Sequence, residues 1–309
     1  MKYNRIPKTD LNVSVLALGT WVFGGDMWSG SLDKDCLEAV DAAIDNGINF
    51  IDTAPVYGNG RSEELVGKAI KGKREKVIIA TKCGLISNGK RIHLTLAPES
   101  IRKEIDDSLR RLQIEYIDLY QCHWPDSKVP VEKTLAELKK IQAAGKIRHI
   151  GLSNYDLNQL TEAVGFADIV SLQSQFSMLE HSLQKEVLPY CEKNKIGFLA
   201  YGPMAGGILT GKYQAPKKFA GSDAREFFYK YYEGENFKKV SQLLEKLKGM
   251  NHPLNQLAIN WARQQKGGTS ILVGCRNPEQ VKQNVAAADW ELTADELAII
   301  KDQLSSLLS

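Results

Sequence analysis

The stretch Ile48-Asn49-Phe50-Ile51-Asp52-Thr53-Ala54-Pro55-Val56-Tyr57 contains a short apolar run that ends on Asp52, with Tyr57 just beyond it. Such a run is typical of a β-strand that is buried on both faces, as in a parallel sheet. Two later runs also end on a group that can carry or move a proton. They are residues 77–81, followed by Lys82, and residues 117–122, followed by His123. Polar groups at the C-terminal ends of parallel strands usually belong to an active site, so the four side chains together indicate an enzyme.

Apolar runs of this kind recur along the whole chain, and helical patterns separate them. They fall near residues 15–18, 48–51, 77–81, 117–122, 148–151, 169–173, 196–200 and 270–273. Pro98 is placed to open the helix after the third run, and Gly145 to end the helix after the fourth. Eight βα units in 309 residues predict a (β/α)8 TIM barrel rather than an open doubly wound sheet.

Two segments stand outside this repeating pattern. Residues 2–14 turn at Lys8-Thr9-Asp10 and are predicted to form a small β-hairpin that closes the barrel floor. Residues 202–252, after the seventh strand, form a long connection with the aromatic cluster Phe227-Phe228-Tyr229-Lys230-Tyr231-Tyr232. Such a connection is either a surface insertion with buried aromatic residues or a flap over a bound ligand. No internal repeat or linker divides the chain, so residues 1–309 are expected to form one domain.

Composition argues against several classes of protein. Forty Lys and Arg residues against 37 Asp and Glu residues leave a net charge of +3, which gives no support for binding to nucleic acid or acidic membranes. The N-terminus lacks the apolar core of a signal peptide, and no stretch approaches the roughly 18 apolar residues of a membrane span. The five cysteines are scattered, so reduced thiols in a cytoplasmic protein are expected. The expected partner is a small molecule, and nothing in the sequence indicates an oligomeric state.

Three familiar site motifs are incomplete or absent. Residues 206–212 fit the opening of a phosphate-binding P-loop, but Tyr213 stands where magnesium coordination requires Ser or Thr. An NTPase is therefore disfavoured, although the glycines and Lys212 remain suited to a diphosphate. No Gly-x-Gly-x-x-Gly follows a strand, which disfavours a Rossmann dehydrogenase. The five histidines are not closely paired, so no metal site is predicted.

A lysine at a strand end allows two kinds of chemistry. If it is desolvated, Lys82 could form a Schiff base with a carbonyl substrate, as in aldolases. Beside a tyrosine, its positive charge would instead lower the pKa of the phenol from about 10 towards working pH, with Asp52 keeping the lysine protonated. The presence of Tyr57 close by favours the second interpretation.

These features together make the chain similar to the aldo-keto reductases from about Leu16 to Asn284, and most of all to the bacterial and channel-subunit-like branches. The motifs that carry the resemblance are Leu18-Gly19-Thr20, Asn49-Phe50-Ile51-Asp52-Thr53-Ala54 with Tyr57-Gly58, Ala80-Thr81-Lys82, Asp118-Leu119-Tyr120-Gln121-Cys122-His123, Gly145-Lys146-Ile147-Arg148 and Gly151-Leu152-Ser153-Asn154. The resemblance implies a barrel that reduces aldehydes and ketones with a nicotinamide cofactor. It implies that Tyr57 is the general acid, that Lys82 and Asp52 tune it, and that His123 orients and polarises the carbonyl.

The same resemblance implies where the cofactor binds. The matching residues are Trp21, Asp52, Ser153, Asn154, Gln175 and Tyr201 at the nicotinamide end, Gly202, Pro203, Met204, Gly206 and Lys212 in the pyrophosphate loop, Arg225 in the flap, and Gly274, Arg276, Gln280, Gln283 and Asn284 at the adenosine end. The chain departs from many members after the eighth strand, where Gly274 and Cys275 replace a lysine and a serine, and Gln280 replaces an arginine. Arg276 is the remaining cation for a 2′-phosphate, so NADP is favoured over NAD.

The resemblance also bears on the substrate. The long C-terminal loop that shapes the pocket in steroid- and sugar-reducing relatives is missing, and the chain ends soon after the helical pattern of residues 294–308. An open pocket lined by Trp21, Met27, Trp28 and Trp124 is expected, with small or aromatic aldehydes as substrates. Two other functions stay open: a slow, cofactor-binding regulatory subunit that resembles channel β subunits, and a Schiff-base aldolase centred on Lys82.

Overall fold

The computed structural model describes residues 1–28, 30–87, 91–219, 221 and 223–308. The strands in these ranges are β1 (Tyr3–Arg5), β2 (Asn12–Ser14), β3 (Leu16–Gly19), β4 (Phe50–Asp52), β5 (Ile78–Cys83), β6 (Leu85–Ser87), β7 (Ile92–Leu94), β8 (Ile117–Cys122), β9 (Ile147–Ser153), β10 (Ile169–Gln175), β11 (Gly197–Tyr201) and β12 (Gly268–Gly274). Strands β3, β4, β5 and β8 to β12 pair in parallel, and β12 closes the barrel by pairing with β3. Each predicted apolar run contributes one barrel strand, so the (β/α)8 barrel is confirmed.

Helices cover the outside of the barrel. In the same ranges they are α1 (Asp33–Asp45), α2 (Arg61–Ala69), α3 (Pro98–Leu112), α4 (Val131–Ala143), α5 (Leu157–Ala163), α6 (Val187–Lys193), α7 (Ala224–Phe228), α8 (Gly234–Lys248), α9 (Leu254–Arg263), α10 (Pro278–Val285) and α11 (Ala294–Leu308). Helix α3 begins at Pro98, where the missing backbone N–H would have no partner within the helix in any case. After α4, Gly145 (φ 78°) adopts the left-handed conformation that commonly ends a helix. None of the described helices combines the length and the apolar content needed to cross a bilayer.

The predicted N-terminal hairpin closes the barrel floor. Strands β1 and β2 pair antiparallel, and Lys8 at the turn between them has a positive φ of 61°. Ile6, Leu11 and Val13 are buried against the inner apolar residues of the barrel, among them Phe50. The hairpin therefore seals one end of the barrel, and the polar strand ends lie at the other.

The floor also carries a buried charge network centred on Asp118. One carboxylate oxygen accepts from Arg74 Nη2 (2.6 Å) and from the backbone N–H of Ile79 (2.8 Å), and the other accepts from Arg148 Nη1 (3.1 Å). Asp118 is only 2% exposed, so these contacts replace the water that its charge has lost. The network ties β5, β8 and β9 to the segment that leads into β5.

Replacing Asp118 with Asn is expected to lower the free energy of unfolding by about 2 kcal/mol, because Arg74 would keep its charge and lose its carboxylate partner, and Arg148 would lose one of its two. Urea unfolding measures the change. Asp168→Asn is the control, since the Asp168 side chain is 68% exposed and pairs with Lys8 at the surface. Equal free energies of unfolding for the two variants would show that the Asp118 network does not stabilise the floor of the barrel.

The long connection after β11 is partly helical, and it packs as expected for an insertion with buried aromatic residues. Helix α8 buries one apolar face, and three tyrosines of the aromatic cluster are also buried: Tyr229, Tyr231 and Tyr232. Helix α7, by contrast, reaches across to the loop between β3 and α1, where the N–H of Ala224 donates to the carbonyl oxygen of Met27 at 2.9 Å. The connection is thus a packed insertion whose α7 segment spans the open end of the barrel.

Candidate active site

The open end of the barrel holds a cleft of about 500 Å³, and the four predicted catalytic residues meet there. Asp52 ends β4, Tyr57 follows in the next loop, Lys82 lies in β5, and His123 comes directly after β8. Asp52, Tyr57 and His123 line the cleft, while Lys82 is fully buried behind them. The parallel barrel therefore brings together all four groups that the strand-end pattern identified.

Lys82 contacts two of the other three residues. Its Nζ donates to Asp52 Oδ2 at 2.6 Å, to the carbonyl oxygen of Thr53 at 3.0 Å and to the Tyr57 hydroxyl at 3.3 Å. Burial lowers the pKa of Lys82, and the ion pair with Asp52 opposes that shift. A Schiff-base lysine needs a free amine that a carbonyl carbon can reach. All three donor positions of this ammonium are used and its side chain is sealed from the cleft, which argues against the aldolase hypothesis.

The Tyr57 hydroxyl is held as a protonated phenol. Burial raises the pKa of Tyr57 well above that of a free phenol, and the negative charge of Asp52 raises it further. The sequence predicted that the charge of Lys82 would lower the pKa of Tyr57. The direction is the opposite, because the cost of burying the phenolate outweighs its attraction to one cation at 3.3 Å. The hydroxyl therefore keeps its proton at neutral pH.

His123 stands next to this phenol as a neutral imidazole. Its ring meets the Tyr57 ring edge-on, with 5.9 Å between the centroids. Burial lowers the pKa of His123 well below its ordinary value, and the positive charge of Lys82 lowers it further. The imidazole thus offers a neutral N–H donor rather than a second cation.

Two glutamines complete the polar group, and the sequence reasoning missed both. Gln173 Nε2 donates to Asp52 Oδ1 at 2.7 Å, and Gln121 Nε2 approaches the same oxygen at 3.3 Å. Gln173 also lines the cleft, whereas Gln121 is fully buried and lies opposite Lys82 in the pairing of β5 with β8. Each is a long polar side chain in a run that is mostly apolar. That signal was available, because a buried polar side chain needs a hydrogen-bonding partner.

Most of the residues predicted to bind a cofactor line the same cleft. They are Trp21, Asp52, Ser153, Asn154, Tyr201, Gly202, Pro203, Met204, Gly206, Lys212, Gly274, Arg276, Gln280, Gln283 and Asn284. The expected pocket residues Met27, Trp28 and Trp124 line it as well. Lining residues that were not predicted as contacts include Thr210, Phe228, Tyr229 and Asn255. Most of these come from the long connection, whose path the strand pattern does not define.

Gln175 and Arg225 lie outside the lining. Gln175 is the last residue of β10, half-buried beside Gly202, and Gln173 takes the position on the cleft wall. Arg225 is nearly buried and bonds Asp223 through Nε at 2.7 Å and through Nη2, while its Nη1 donates to the Tyr213 hydroxyl at 2.9 Å. The Arg225 guanidinium is thus held in an internal ion pair on α7, beside the cleft rather than on its wall.

The turn after β11 has the shape of an anion cradle. Gly206 (φ 70°) and Gly207 (φ 98°) adopt left-handed conformations, and a Cβ atom on Gly206 would lie 2.7 Å from the Tyr229 ring. The Lys212 ammonium lies beside Gly207, 3.5 Å from where its Cβ would be. Neither glycine has a side chain that would cover the backbone, and the Lys212 ammonium lies next to them. The turn therefore fits a diphosphate.

A second cation lies at the start of α10. Asn277 caps this helix by accepting from the N–H of Gln280 at 3.0 Å, and the Gln280 side chain accepts from the N–H of Arg276 at 2.9 Å. Burial lowers the pKa of Arg276, and the charge of Arg225 adds to that effect. No carboxylate in the described ranges forms an ion pair with Arg276, since Asp223 is taken by Arg225. Arg276 is therefore a partly desolvated cation with room for an anionic partner.

Comparisons with known proteins agree with this geometry. The sequence profile of the Aldo/keto reductase family matches residues 15–304. The aldo-keto reductase YhdN of Bacillus subtilis is 39% identical and is matched over 100% of this chain and 95% of its own. The NADH-specific methylglyoxal reductase of Escherichia coli is 35% identical, with 99% of each chain covered. A probable voltage-gated potassium channel subunit beta of Arabidopsis thaliana is 33% identical, over 94% of this chain and 92% of its own.

The fold comparison leads to the same family. The glycerol dehydrogenase of Gluconobacter oxydans superposes with a TM-score of 0.91 at 37% identity, covering 99% of this chain and 96% of that one. The barrel, the strand-end polar group and the matched relatives extend over nearly the same residues. The chain therefore belongs to the aldo/keto reductase family and is an oxidoreductase.

Proposed function

We propose that this protein, acting as a single cytoplasmic domain, transfers hydride between NADP(H) and aldehydes or ketones, with Tyr57 as the proton donor. The observation that carries the proposal is the Tyr57 hydroxyl on the cleft wall with the buried Lys82 ammonium 3.3 Å behind it. A bound nicotinamide cofactor would supply the hydride. The residues of this chain then have to bind the carbonyl, hold its oxygen and deliver a proton to it.

The proton step follows from the contacts of Tyr57. As negative charge develops on the substrate oxygen, the phenol proton moves to it and the phenolate that remains needs a cation. Lys82 is that cation, because its Nζ already donates to the phenol oxygen. Asp52 keeps Lys82 charged, and the neutral imidazole of His123 can donate a hydrogen bond to the same substrate oxygen.

The residues that line the cleft would provide contacts for every part of a nicotinamide dinucleotide. Ser153, Asn154 and Gln173 would hold the carboxamide, with Gln173 taking the place proposed for Gln175, and Tyr201 would stack on the ring. The Tyr201 hydroxyl donates to Asn154 Oδ1 at 2.9 Å, which fixes both side chains. The glycine turn with Lys212 would hold the pyrophosphate. Arg276 would bind the 2′-phosphate, which supports NADP, although the Escherichia coli relative is NADH-specific.

NADPH oxidation by the purified protein tests the function directly. We expect turnover with several members of a panel of aromatic aldehydes, small aldehydes and ketones, and the absence of turnover with every member would contradict the proposal. Rapid-mixing measurement of hydride transfer tests the regulatory-subunit alternative. That alternative is not favoured, because all four predicted catalytic residues are in place.

Replacing Arg276 with Ala tests the cofactor assignment. The variant should raise the KM for NADPH by about tenfold or more and leave the KM for NADH nearly unchanged, since only the 2′-phosphate loses a charged hydrogen bond. Lys282→Ala is the matched control, because Lys282 is an exposed cation on α10 that does not line the cleft. An unchanged preference for NADPH in the Arg276 variant would exclude Arg276 from this role.

A further inference from the structure

A buried carboxylate lies outside the barrel, behind the strand end that carries Lys82. Glu104 of α3 is 8% exposed, and both of its oxygens accept hydrogen bonds. Oε2 accepts from the backbone N–H of Gly84 at 2.9 Å, and Oε1 accepts from the Ser100 hydroxyl at 3.0 Å. Among the described residues, no lysine or arginine forms an ion pair with Glu104, since Arg111 pairs with another glutamate. Two hydrogen bonds therefore stabilise its charge, and one of them holds the backbone next to the active site.

The Gly84 N–H belongs to a peptide group that also contacts the backbone of His123. The carbonyl oxygen of the same peptide is that of Cys83, and it accepts from the N–H of His123 at 2.9 Å. Hydrogen bonds in such a chain polarise one another, so a charged acceptor at one end strengthens the bond at the other. A charge on Glu104 thus helps to fix the backbone that directly follows Lys82 and the backbone of His123.

The turn at Gly84 also carries part of the cleft wall. The carbonyl oxygen of Gly84 accepts from the N–H of Thr95 at 2.9 Å, which closes the base of the β6–β7 hairpin. Leu85, the next residue, lines the cleft. Gly84 has a φ of 97°, and a Cβ atom there would lie 2.5 Å from the Leu96 side chain, so the turn is tightly packed. Glu104 therefore anchors a turn that joins a catalytic strand to the cleft wall.

Glu104 can change its charge near neutral pH. Burial raises the pKa of Glu104 to about 7, and the hydrogen bonds from Gly84 and Ser100 oppose that shift. Below about pH 7 the side chain gains a proton, and the Gly84 N–H loses its charged acceptor. A hydrogen bond to a charged group is about twice as strong as a neutral one, so the anchor weakens when Glu104 is protonated.

The titratable groups that face Glu104 do not mask this change. Arg111 of α3 and Glu63 of α2 form an ion pair at 2.6 Å, so their opposite effects on Glu104 largely cancel. A hydrogen bond with a neighbouring thiol raises the pKa of Cys83 on β5 well above its ordinary value, and burial does the same for Tyr120 on β8. Both groups therefore stay neutral between about pH 6 and pH 8.

Resting on the reductase function proposed above, we propose that Glu104 is a positioning residue whose protonation state controls the rate of hydride transfer. When Glu104 is charged, the peptide between Cys83 and Gly84 is held firmly, and the backbone of His123 with it. When Glu104 is protonated, this peptide is held more weakly, and small misplacements of catalytic groups slow a reaction strongly. Glu104 contacts neither substrate nor cofactor, because it does not line the cleft.

The pH dependence of the wild-type protein is the first test. Single-turnover hydride transfer should become about tenfold faster between pH 6 and pH 8, with a midpoint near pH 7. The measurement uses the aldehyde of the panel that is reduced fastest and saturating NADPH, because a phosphate monoester itself titrates near pH 6. Burial lowers the pKa of His123 well below its ordinary value and raises that of Tyr57 well above its own, so neither group produces this change.

Glu104→Gln keeps the size of the side chain and an acceptor oxygen but cannot carry the charge. It should be about tenfold slower than the wild type at pH 8 and nearly equal to it at pH 6. The loss should appear in kcat, while the KM for the aldehyde and the Kd for NADPH stay within about twofold, since Glu104 lies outside the cleft.

Ser100→Ala tests whether the titrating group is Glu104. The Ser100 hydroxyl lowers the pKa of Glu104, so its removal should move the midpoint upward by about 0.5 in pH or more. Glu137→Gln is the matched control, because Glu137 is a 5% exposed carboxylate of α4 that pairs with Arg102 and Lys140. It should leave both the rate and its pH dependence unchanged.

Infrared difference spectra between pH 6 and pH 8 follow the same proton without turnover. The wild type should show the band of a protonated, buried carboxyl group at pH 6, and Glu104→Gln should lack it. The proposal is overturned if this band is missing from the wild type, if the wild-type rate does not rise near pH 7, if Glu104→Gln keeps that rise, or if Glu137→Gln loses it equally. In each of those cases the reductase function still stands. If no carbonyl is reduced at all, the proposed function fails, and the role of Glu104 in hydride transfer fails with it.

Discussion

Tyr57→Phe is expected to lower kcat/KM for NADPH-dependent aldehyde reduction by at least about 100-fold, the usual contribution of a positioned acid. The substitution removes one oxygen atom from the cleft wall. The ring that stacks on Trp21 and meets His123 stays, so the shape of the pocket is kept. What disappears is the proton that the substrate oxygen receives. Lys82 keeps its two shorter contacts, to Asp52 at 2.6 Å and to Thr53 at 3.0 Å.

The control for this variant is Tyr120→Phe, which removes the same atom from a fully buried tyrosine of β8 that does not line the cleft. It should leave kcat/KM within about threefold of the wild type. The Kd for NADPH should be similar in all three proteins, because neither hydroxyl is proposed to contact the cofactor. A fall of less than tenfold in Tyr57→Phe alone would remove Tyr57 from the role of proton donor.

The barrel and its polar strand ends could be predicted because both leave a local trace in the sequence. A strand buried on both faces must be apolar throughout, so the polar residue that ends it is conspicuous. Three such runs end on, or are followed by, Asp52, Lys82 and His123. The parallel barrel then places these three side chains at the same end. The hairpin of residues 2–14 was predictable for a similar reason, because a turn separates two short segments there.

Other parts of the site depend on contacts that no local pattern shows. Gln173 and Gln175 lie two positions apart on one strand and so share one face of it, yet Gln173 lines the cleft and Gln175 lies beside Gly202. Phe227 and Phe228 are adjacent in the sequence, yet the docking of α7 exposes one and turns the other to the cleft. The raised pKa of Tyr57 is a third example, since the sequence reveals a nearby lysine but not the depth of burial that outweighs it.

Asp52→Asn should lower both stability and activity, because Asp52 is the ion-pair partner of a fully buried lysine. We expect the free energy of unfolding at neutral pH to fall by about 3 kcal/mol, the usual cost of leaving a buried charge unpaired. Burial already lowers the pKa of Lys82 and Asp52 raises it, so the loss of Asp52 lowers the pKa further. Lys82 then releases its proton readily and no longer stabilises a phenolate, and we expect kcat to fall by about 100-fold.

The pH dependence of stability distinguishes this loss of charge from a loss of packing. In the Asp52 variant the folded lysine has a lower pKa than the unfolded one, so the unfolded chain binds more protons and stability rises with pH. The difference in the free energy of unfolding between the variant and the wild type should therefore shrink between pH 7 and about pH 10, as the pH approaches the pKa of lysine in the unfolded chain. Asp118→Asn is the matched control, since its partners Arg74 and Arg148 stay charged over that range and its deficit should not shrink. If the two deficits change with pH in the same way, Asp52 does not act by holding the charge of Lys82.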